Sequence, residues 1–291
     1  MKLTEPTGLA DGVPGVSPGV YNAADFQAVA EIVYGEAGIV LAQGKAMLVY
    51  SRLAPLVRRA GCGTFANFVA RVRDNADERA RMVSALTTNH TFFYREAHHF
   101  EHLARVVRPD LVESLAARQP VRIWSAGCSS GEETWSLMMT LLGPDRQGGL
   151  ELTRRDLKVL ASDIAEHALA KAQAAIYPAK DMAPVPEALR RPWTHAAGEN
   201  LVMTEEARGL VRFRHLNLQG EWPMNGRFQV IFCRNVMIYF DNPTKERLVE
   251  RFAEALEPGG YLYIGHSERV TGAAAALLSP VGPTIYRRNQ P

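Results

Sequence analysis

Val121-Arg-Ile-Trp-Ser-Ala-Gly127-Cys-Ser-Ser-Gly131-Glu-Glu-Thr-Trp-Ser-Leu137 is the stretch on which the reading of the fold turns. A short apolar run leads into a turn bracketed by two glycines, and a helical pattern follows. Gly127 and Gly131 allow the positive φ and close backbone approach that such a turn needs. The helix beyond opens with unpaired N–H groups. A strand, loop and helix of this kind can hold a nucleoside directly against the backbone, although any βα unit of an α/β sheet can carry small residues at its turn. The remaining chain has to decide between the two.

At 291 residues the chain exceeds the usual size of one compact domain, so two domains or one elaborated domain are expected. Hydrophobic residues make up 47% and charged residues 22%, a composition that excludes a disordered chain. A net charge of +2 argues against a globally basic nucleic-acid binder and leaves room for a local basic face. Cys62, Cys128 and Cys233 are widely spaced and odd in number, which suggests neither a disulfide framework nor a metal site. No apolar run approaches membrane-spanning length, and the first residues lack the apolar core of a signal peptide. A cytoplasmic protein without membrane insertion is expected.

Residues 1–21 are rich in glycine and proline and read as a flexible leader. A helical domain is expected over 22–88, where Phe26, Val29, Ile32 and Val33 begin an apolar stripe at helical spacing. Between Ala37 and Arg73 stand six basic residues and no carboxylate. Such a run is either a solvated helix face or a surface that steers an acidic partner. Phe65 and Phe68 belong to the apolar stripe, so they do not form the stacking platform of a single-strand nucleic-acid binder. Residues 89–97 form a polar and aromatic linker to the second half of the chain. Within it, Arg95 can pair with a nearby carboxylate, and His98 and His99 begin a helix, since adjacent residues diverge around a helix and make poor joint metal ligands.

The rest, 98–291, has the βαβ rhythm of an α/β domain. Strands are expected at Val121 to Ser125, Leu157 to Ala161, Phe228 to Cys233, Tyr261 to Ile264 and Thr284 to Arg288. Asp163, just past the second strand, is placed to accept hydrogen bonds from ribose hydroxyls or to cap the next helix. Prolines at 178, 184, 186 and 192 break the alternation, and residues 176–220 read as a small inserted antiparallel β-subdomain. Its hairpin is drawn from Asn200 to Thr204 and Leu210 to Phe213. Arg234 and Asn235 follow a largely apolar central strand, at the end where open α/β sheets place ligands. His266 stands at another strand end, where local hydrogen bonding is commoner than catalysis.

Five segments then carry a resemblance: Leu-Thr-Thr-Asn-His-Thr-Phe-Phe-Tyr-Arg-Glu (86–96), Trp-Ser-Ala-Gly-Cys-Ser-Ser-Gly-Glu-Glu (124–133), Ala-Ser-Asp-Ile (161–164), Phe-Cys-Arg-Asn-Val-Met-Ile-Tyr-Phe (232–240) and Gly-His-Ser-Glu (265–268). In this order they resemble the chemotaxis-receptor glutamate methyltransferases, the CheR family. The resemblance runs from about Asp25 to Arg288. It implies an N-terminal all-α domain, a Rossmann-like S-adenosylmethionine-dependent methyltransferase domain, and a small antiparallel β-subdomain inserted in the latter. It also implies cofactor contacts at Asn89, Thr91, Arg95, Gly127, Glu133, Asp163, Asn217, Leu218, Arg234 and Asn235, with Arg95 and Tyr239 at the reacting centre and no metal. The implied substrates are the acidic methylation helices of cytoplasmic chemoreceptor regions, which gives the basic run a docking role through Arg52, Arg58 and Arg59. The connection at Ala196 to Asn200 is short, so no tethering receptor pentapeptide is expected.

Methyl transfer from a sulfonium to a glutamate fits these residue types. A side chain of pKa about 4.3 is ionised near neutrality, so the nucleophile needs no strong base. The enzyme has to desolvate it, align it and exclude water. S-adenosylhomocysteine is then the product. A nicotinamide dehydrogenase shares Gly127, Gly131 and Asp163 but lacks G-x-G-x-x-G and leaves residues 89–95 and 234–235 unexplained. A non-catalytic S-adenosylmethionine sensor needs neither Tyr239 nor a docking face, and a methyltransferase for another acceptor remains the third reading.

Overall fold

The computed structural model describes residues 15–290; the leader expected over 1–21 lies outside the described residues as far as position 14. Two compact units result: residues up to Thr88 together with Tyr239–Asp241, and Asn89–Ile238 together with Asn242–Pro291.

The helical unit contains α1 (Ala23–Ala37), α2 (Ala46–Arg59), α3 (Phe65–Asp74) and α4 (Ala76–Leu86). Its boundaries follow from capping chemistry. Asn22 accepts from the N–H groups of Ala24 and Asp25, Asp25 returns the bond to Asn22, and Gly38 closes α1 at φ +70°. Thr64 and Asn75 cap α3 and α4 in the same manner. The apolar stripes meet in a core of Phe26, Val33, Leu53, Phe65, Phe68 and Val72. Tyr239–Asp241 joins this unit through an antiparallel bridge between Ile39 and Phe240, a bond from the Val40 N–H to the Tyr239 carbonyl (2.8 Å), and one from the Tyr34 hydroxyl to Asp241 (2.7 Å).

The larger unit opens with α5 (Ala97–His102), which runs through one π-helical stretch, Leu103–Val107, into α6 (Arg108–Ala116). There follow β1 (Val121–Ala126), α7 (Glu132–Leu142), α8 (Arg146–Thr153), β2 (Leu157–Asp163), α9 (Glu166–Ala174), β3 (Ile176–Pro178), α10 (Glu187–Arg190), β4 (Thr194–Ala197), β5 (Asn200–Met203), α11 (Glu205–Arg208), β6 (Val211–His215), β7 (Phe228–Cys233), α12 (Asn242–Ala255), β8 (Leu256–Ile264), β9 (Leu278–Gly282) and β10 (Ile285–Arg288). A seven-stranded sheet has the order β6-β2-β1-β7-β8-β10-β9. The pairs β6–β2, β2–β1, β1–β7 and β7–β8 are parallel, and β10 pairs antiparallel with both β8 and β9. Strand order reverses between β1 and β7, so a crevice opens beyond their carboxyl ends. Buried Val121, Ile123, Val159, Val230 and Phe232 make these strands largely apolar, as expected of parallel strands covered on two faces.

The inserted sheet has the antiparallel order β3-β5-β4, with Gly198 at φ +61° in the two-residue turn between β4 and β5. One expectation is corrected here. The strand near Leu210 to Phe213 is not half of the inserted hairpin; as β6 it lies parallel to β2, pairing Val211 with Val159 and Phe213 with Ala161. Buried Leu210 and Val211 seat it on the main core, and a run of this length carries no sign of which partner it takes. The second strand also runs further than Ala161, and Asp163 is its last residue.

Candidate active site

The loop after β1 is held by both backbone and side-chain bonds. The N–H groups of Gly127 and Cys128 both donate to the Ser162 carbonyl, at 2.8 and 2.9 Å, and the Gly131 N–H donates to Cys128. Gly127, Ser129 and Gly131 all have positive φ, at 75°, 50° and 94°. A Cβ on Gly127 would stand 2.4 Å from Val236 Cγ2, so the loop after β7 closes against this one at a distance only glycine permits. Asp163 completes the anchorage, accepting from the Ser129 N–H at 2.7 Å with one oxygen and from the Ala165 N–H at 2.8 Å with the other. Burial pushes its carboxyl upward against the pull of those N–H donors.

Glu133, in the first turn of α7, accepts from the Ser125 hydroxyl at 2.7 Å and lies 3.4 Å from Arg234 Nη1. Burial raises its carboxyl, and the Arg234 charge opposes that rise only in part. Both terminal nitrogens of Arg234 are engaged. Its Nη2 donates to the Arg95 carbonyl and stands 3.5 Å from Glu96, its guanidinium lies 5.5 Å from the Phe100 ring centroid, and its side chain is 2% exposed. Two acids therefore flank one buried cation, which is how a charge is kept in an apolar interior.

Glu96 and Glu268 were not singled out by sequence reasoning, though both lie within quoted segments. Glu96, at φ +58°, receives the His266 N–H and ring Nδ1 at 3.4 and 3.3 Å and the Asn235 amide at 3.5 Å. Burial would raise its carboxyl, but Arg234, His266 and Asn235 together hold it below the usual range. Glu268 takes the backbone N–H groups of Asn235 (3.2 Å), Met237 (2.8 Å) and Gly265 (2.5 Å), tying the ends of β7 and β8 together. Tyr94, Glu96, Ser129 and Asn235 share the left-handed region, an unusual concentration of non-glycine strain around one crevice. In the sequence Glu268 is only an acid shortly after a strand and Glu96 an acid just before a helix, patterns too common to be selective.

The other residues singled out by sequence reasoning fall as follows. The Asn89 carbonyl accepts from Ser129 Oγ at 3.2 Å, and its amide lies 3.0 Å from His167 Nε2. Thr91 is half-buried in the irregular stretch that follows. Arg95 donates to the His90 carbonyl at 3.3 Å, lies 3.9 Å from Glu96 and stands 5.5 Å from the Phe92 ring centroid. Asn217 and Leu218 follow β6 directly, where the Leu216 N–H donates to the Asp163 carbonyl at 3.0 Å. All of these belong to the larger unit. Tyr239 and the three arginines belong to the helical unit, where Arg58 and Arg59 are exposed in the last turn of α2. Arg52 is committed to the end of α4, donating to the carbonyls of Leu86 and Thr87 at 2.8 and 2.7 Å. His99 is fully buried and its ring is pushed down to about 2, by burial first and then by Arg234, so it is neutral and donates or accepts against Thr284 Oγ1 at 2.9 Å. Among the described residues, no group of three or more His, Cys, Asp or Glu is arranged to hold a metal ion. No helix among them is long and apolar enough to cross a membrane.

The arrangement offers two carboxylates, Glu133 in the first turn of α7 and Asp163 at the end of β2, on either side of a glycine-bracketed loop. Two carboxylates so placed suit a ligand with an ammonium group and a diol.

Comparison with known proteins bears on the same segments. Residues 89–284 match the CheR methyltransferase SAM-binding domain, and residues 24–87 match the CheR methyltransferase all-alpha domain. The chain is similar to a probable chemotaxis protein methyltransferase of Rhizobium etli, with 42% identity over 264 residues, covering 88% of this chain and 96% of that protein. It is 40% identical to chemotaxis protein methyltransferase 2 of Pseudomonas aeruginosa over 286 residues, 97% of this chain and 99% of the other. The chemotaxis protein methyltransferase of Escherichia coli is 38% identical over 252 residues, 84% of each chain.

Proposed function

The chain belongs to the CheR methyltransferase family, and from that premise we propose that it methylates glutamate side chains of chemoreceptors, using S-adenosylmethionine and forming methyl esters. The supporting observation is the pairing of Glu133 and Asp163 across the glycine-bracketed loop at the switch point of the sheet. Glu133 holds the cofactor's α-ammonium. Asp163 receives its ribose hydroxyls, since each carboxylate oxygen keeps a second lone pair beside the backbone bond it already accepts. Asn217 and Leu218 line the base, Asn89, Thr91, Gly127 and Asn235 complete the walls, and Arg234 acts from behind by fixing Glu133 and the backbone at Arg95. When bound, the cofactor supplies an electrophilic methyl group on a sulfonium.

Arg95 holds the incoming carboxylate by its guanidinium fork, and Tyr239 orients it. The acceptor arrives ionised, so these residues position and desolvate without abstracting a proton. Transfer of a tritiated methyl group to a panel of receptors tests the assignment. Base-labile label on the receptor is the expected result. Binding of S-adenosylhomocysteine without any transfer would instead identify a sensor.

Glu133 gives the cofactor affinity a pH dependence of known sign. Because burial raises its carboxyl, protonation begins at a higher pH than for an ordinary glutamate, and a neutral acid no longer attracts an ammonium. Affinity for S-adenosylhomocysteine, measured calorimetrically, should weaken as pH falls through that range. Glu133→Gln should bind about tenfold more weakly at neutral pH and lose most of the slope. A steep slope persisting in Glu133→Gln would move the effect to Asp163 or Glu268, whose carboxyls burial also raises.

The substrates are the acidic methylation helices of the cytoplasmic receptor regions, and the protein acts in the cytoplasm on them without a receptor tether. The six basic residues between Ala37 and Arg73 support this docking, together with the exposure of Arg58 and Arg59. Reversing both charges (Arg58→Glu, Arg59→Glu) should raise KM for the receptor about tenfold at low salt, with the difference shrinking as salt is added. An unchanged KM at low salt would remove the docking role. The two-residue turn between β4 and β5 supports tether independence, and measurable heat on titrating a receptor C-terminal pentapeptide would contradict it.

A further inference from the structure

Tyr177 is the middle residue of β3, fully buried, and it is the point at which the inserted sheet reaches the loop after β1. Its hydroxyl donates to the Ser130 carbonyl at 2.6 Å. Ser130 lies between two residues of positive φ, Ser129 and Gly131, so its peptide belongs to the most constrained part of that loop. Gly131 packs so closely on the same hydroxyl that an added Cβ would stand 2.7 Å from it. The Tyr177 ring meets Phe93 edge to face, with centroids 4.9 Å apart, two residues before Arg95. Lys171 closes the group, at 5.4 Å from the ring centroid and 3.1 Å from Glu132.

From the parallel sheet, Ser162 accepts from the Gly127 and Cys128 N–H groups and Asp163 from the Ser129 N–H, and from the segment before α5 the Asn89 carbonyl accepts from Ser129 Oγ. Tyr177 supplies the anchor that arrives from the inserted sheet. Its own position is set by pairing opposite Leu201 in the inserted sheet. We infer that Tyr177 is a positioning residue through which the inserted sheet holds the Gly127–Gly131 loop in its receptive shape and so sets affinity for the cofactor. The inference rests on reading that loop as the cofactor cradle. It gives the inserted sheet a task in cofactor binding that is separate from any contact with a receptor.

Tyr177→Phe removes the hydroxyl and keeps the ring on Phe93, so the fold should survive. In the full chain, the Kd for S-adenosylhomocysteine should rise about fivefold, the scale of one hydrogen bond, while kcat at saturating cofactor stays as it was. Hydrogen exchange should quicken at the amides of residues 128–131 and nowhere else in the sheet. Unchanged Kd with unchanged exchange would overturn the inference. So would a rise in Kd accompanied by a fall in kcat and Tm with exchange raised throughout, the pattern of general destabilisation. If the natural chain binds no S-adenosylhomocysteine, the cradle reading fails by itself, and exchange at 128–131 still decides whether Tyr177 holds the loop.

Discussion

Arg95→Ala should lower kcat for receptor methylation by about a thousandfold and change cofactor affinity only about threefold, a split expected of a group that acts on the nucleophile. The reason lies in opposite signs. A guanidinium repels a sulfonium and attracts a carboxylate, so its removal costs the charged acceptor its partner while relieving a mild repulsion toward the cofactor. The side chain is well prepared for this work. Its backbone is fixed by the bond from Arg234 Nη2 to its carbonyl, Glu96 lies 3.9 Å from Nε, and Phe92 supports the guanidinium plane. At 23% exposure it is partly desolvated before any substrate arrives. Steady-state kinetics against receptor fragments, with cofactor binding measured separately, give the two quantities. Equal losses in both would make Arg95 a cofactor ligand and not an acceptor clamp. Arg95→Lys should recover only part of the rate, because an ammonium cannot form the two parallel bonds of a fork.

Gly131→Ala should weaken cofactor binding by more than about a hundredfold and lower Tm. Two costs add. At φ +94° an L side chain is strained by about 1–2 kcal/mol. The new Cβ also meets Tyr177 Oη at 2.7 Å, Ala172 Cβ at 2.8 Å and the Ala172 backbone Cα at 2.9 Å. The hydroxyl could swing aside, but helix α9 would have to move as a body, and close-packed interiors resist that. Glu132 and Glu133 follow immediately in α7, so any shift that relieves the clash also displaces a carboxylate proposed to hold the cofactor. Calorimetric titration together with thermal unfolding tests the prediction. Wild-type affinity in Gly131→Ala would show that the loop tolerates rearrangement and that its glycine serves only the turn.

The parallel half of the fold was readable because its physics is local. A largely apolar run such as Phe228 to Cys233, short and rich in aromatic and β-branched residues, reads as a buried strand, and Gly127 and Gly131 mark a turn that few other residues can make. Partner choice is not local, so the sequence pairs Leu210 to Phe213 with the wrong sheet: parallel pairing with β2 is decided by burial of Leu210 and Val211 across more than forty intervening residues. The same limit hid Glu96 and Glu268. Each acts by gathering N–H groups or cations from distant segments, Glu96 from His266 and Asn235, Glu268 from Asn235, Met237 and Gly265. A sequence shows an acid and not the donors that turn toward it. Asp163 was visible as an acid at a strand end, while its hold on the Ser129 N–H was not.

The three residues Tyr239–Asp241 complete the helical unit from a point some 150 residues downstream of its last helix, pairing with Ile39 and Val40 and accepting from Tyr34. The unit is therefore discontinuous in the gene even though its helices are contiguous. A fragment cut at Thr88 would lack the partner strand for Ile39 and leave the Val40 N–H and the Tyr34 hydroxyl to water. Exchange of the first 88 residues between relatives, by recombination or by a designer, would join a helical half to a foreign closing segment. Its boundaries are thus set by compatibility at two places in the chain, and a chimaera has to carry both.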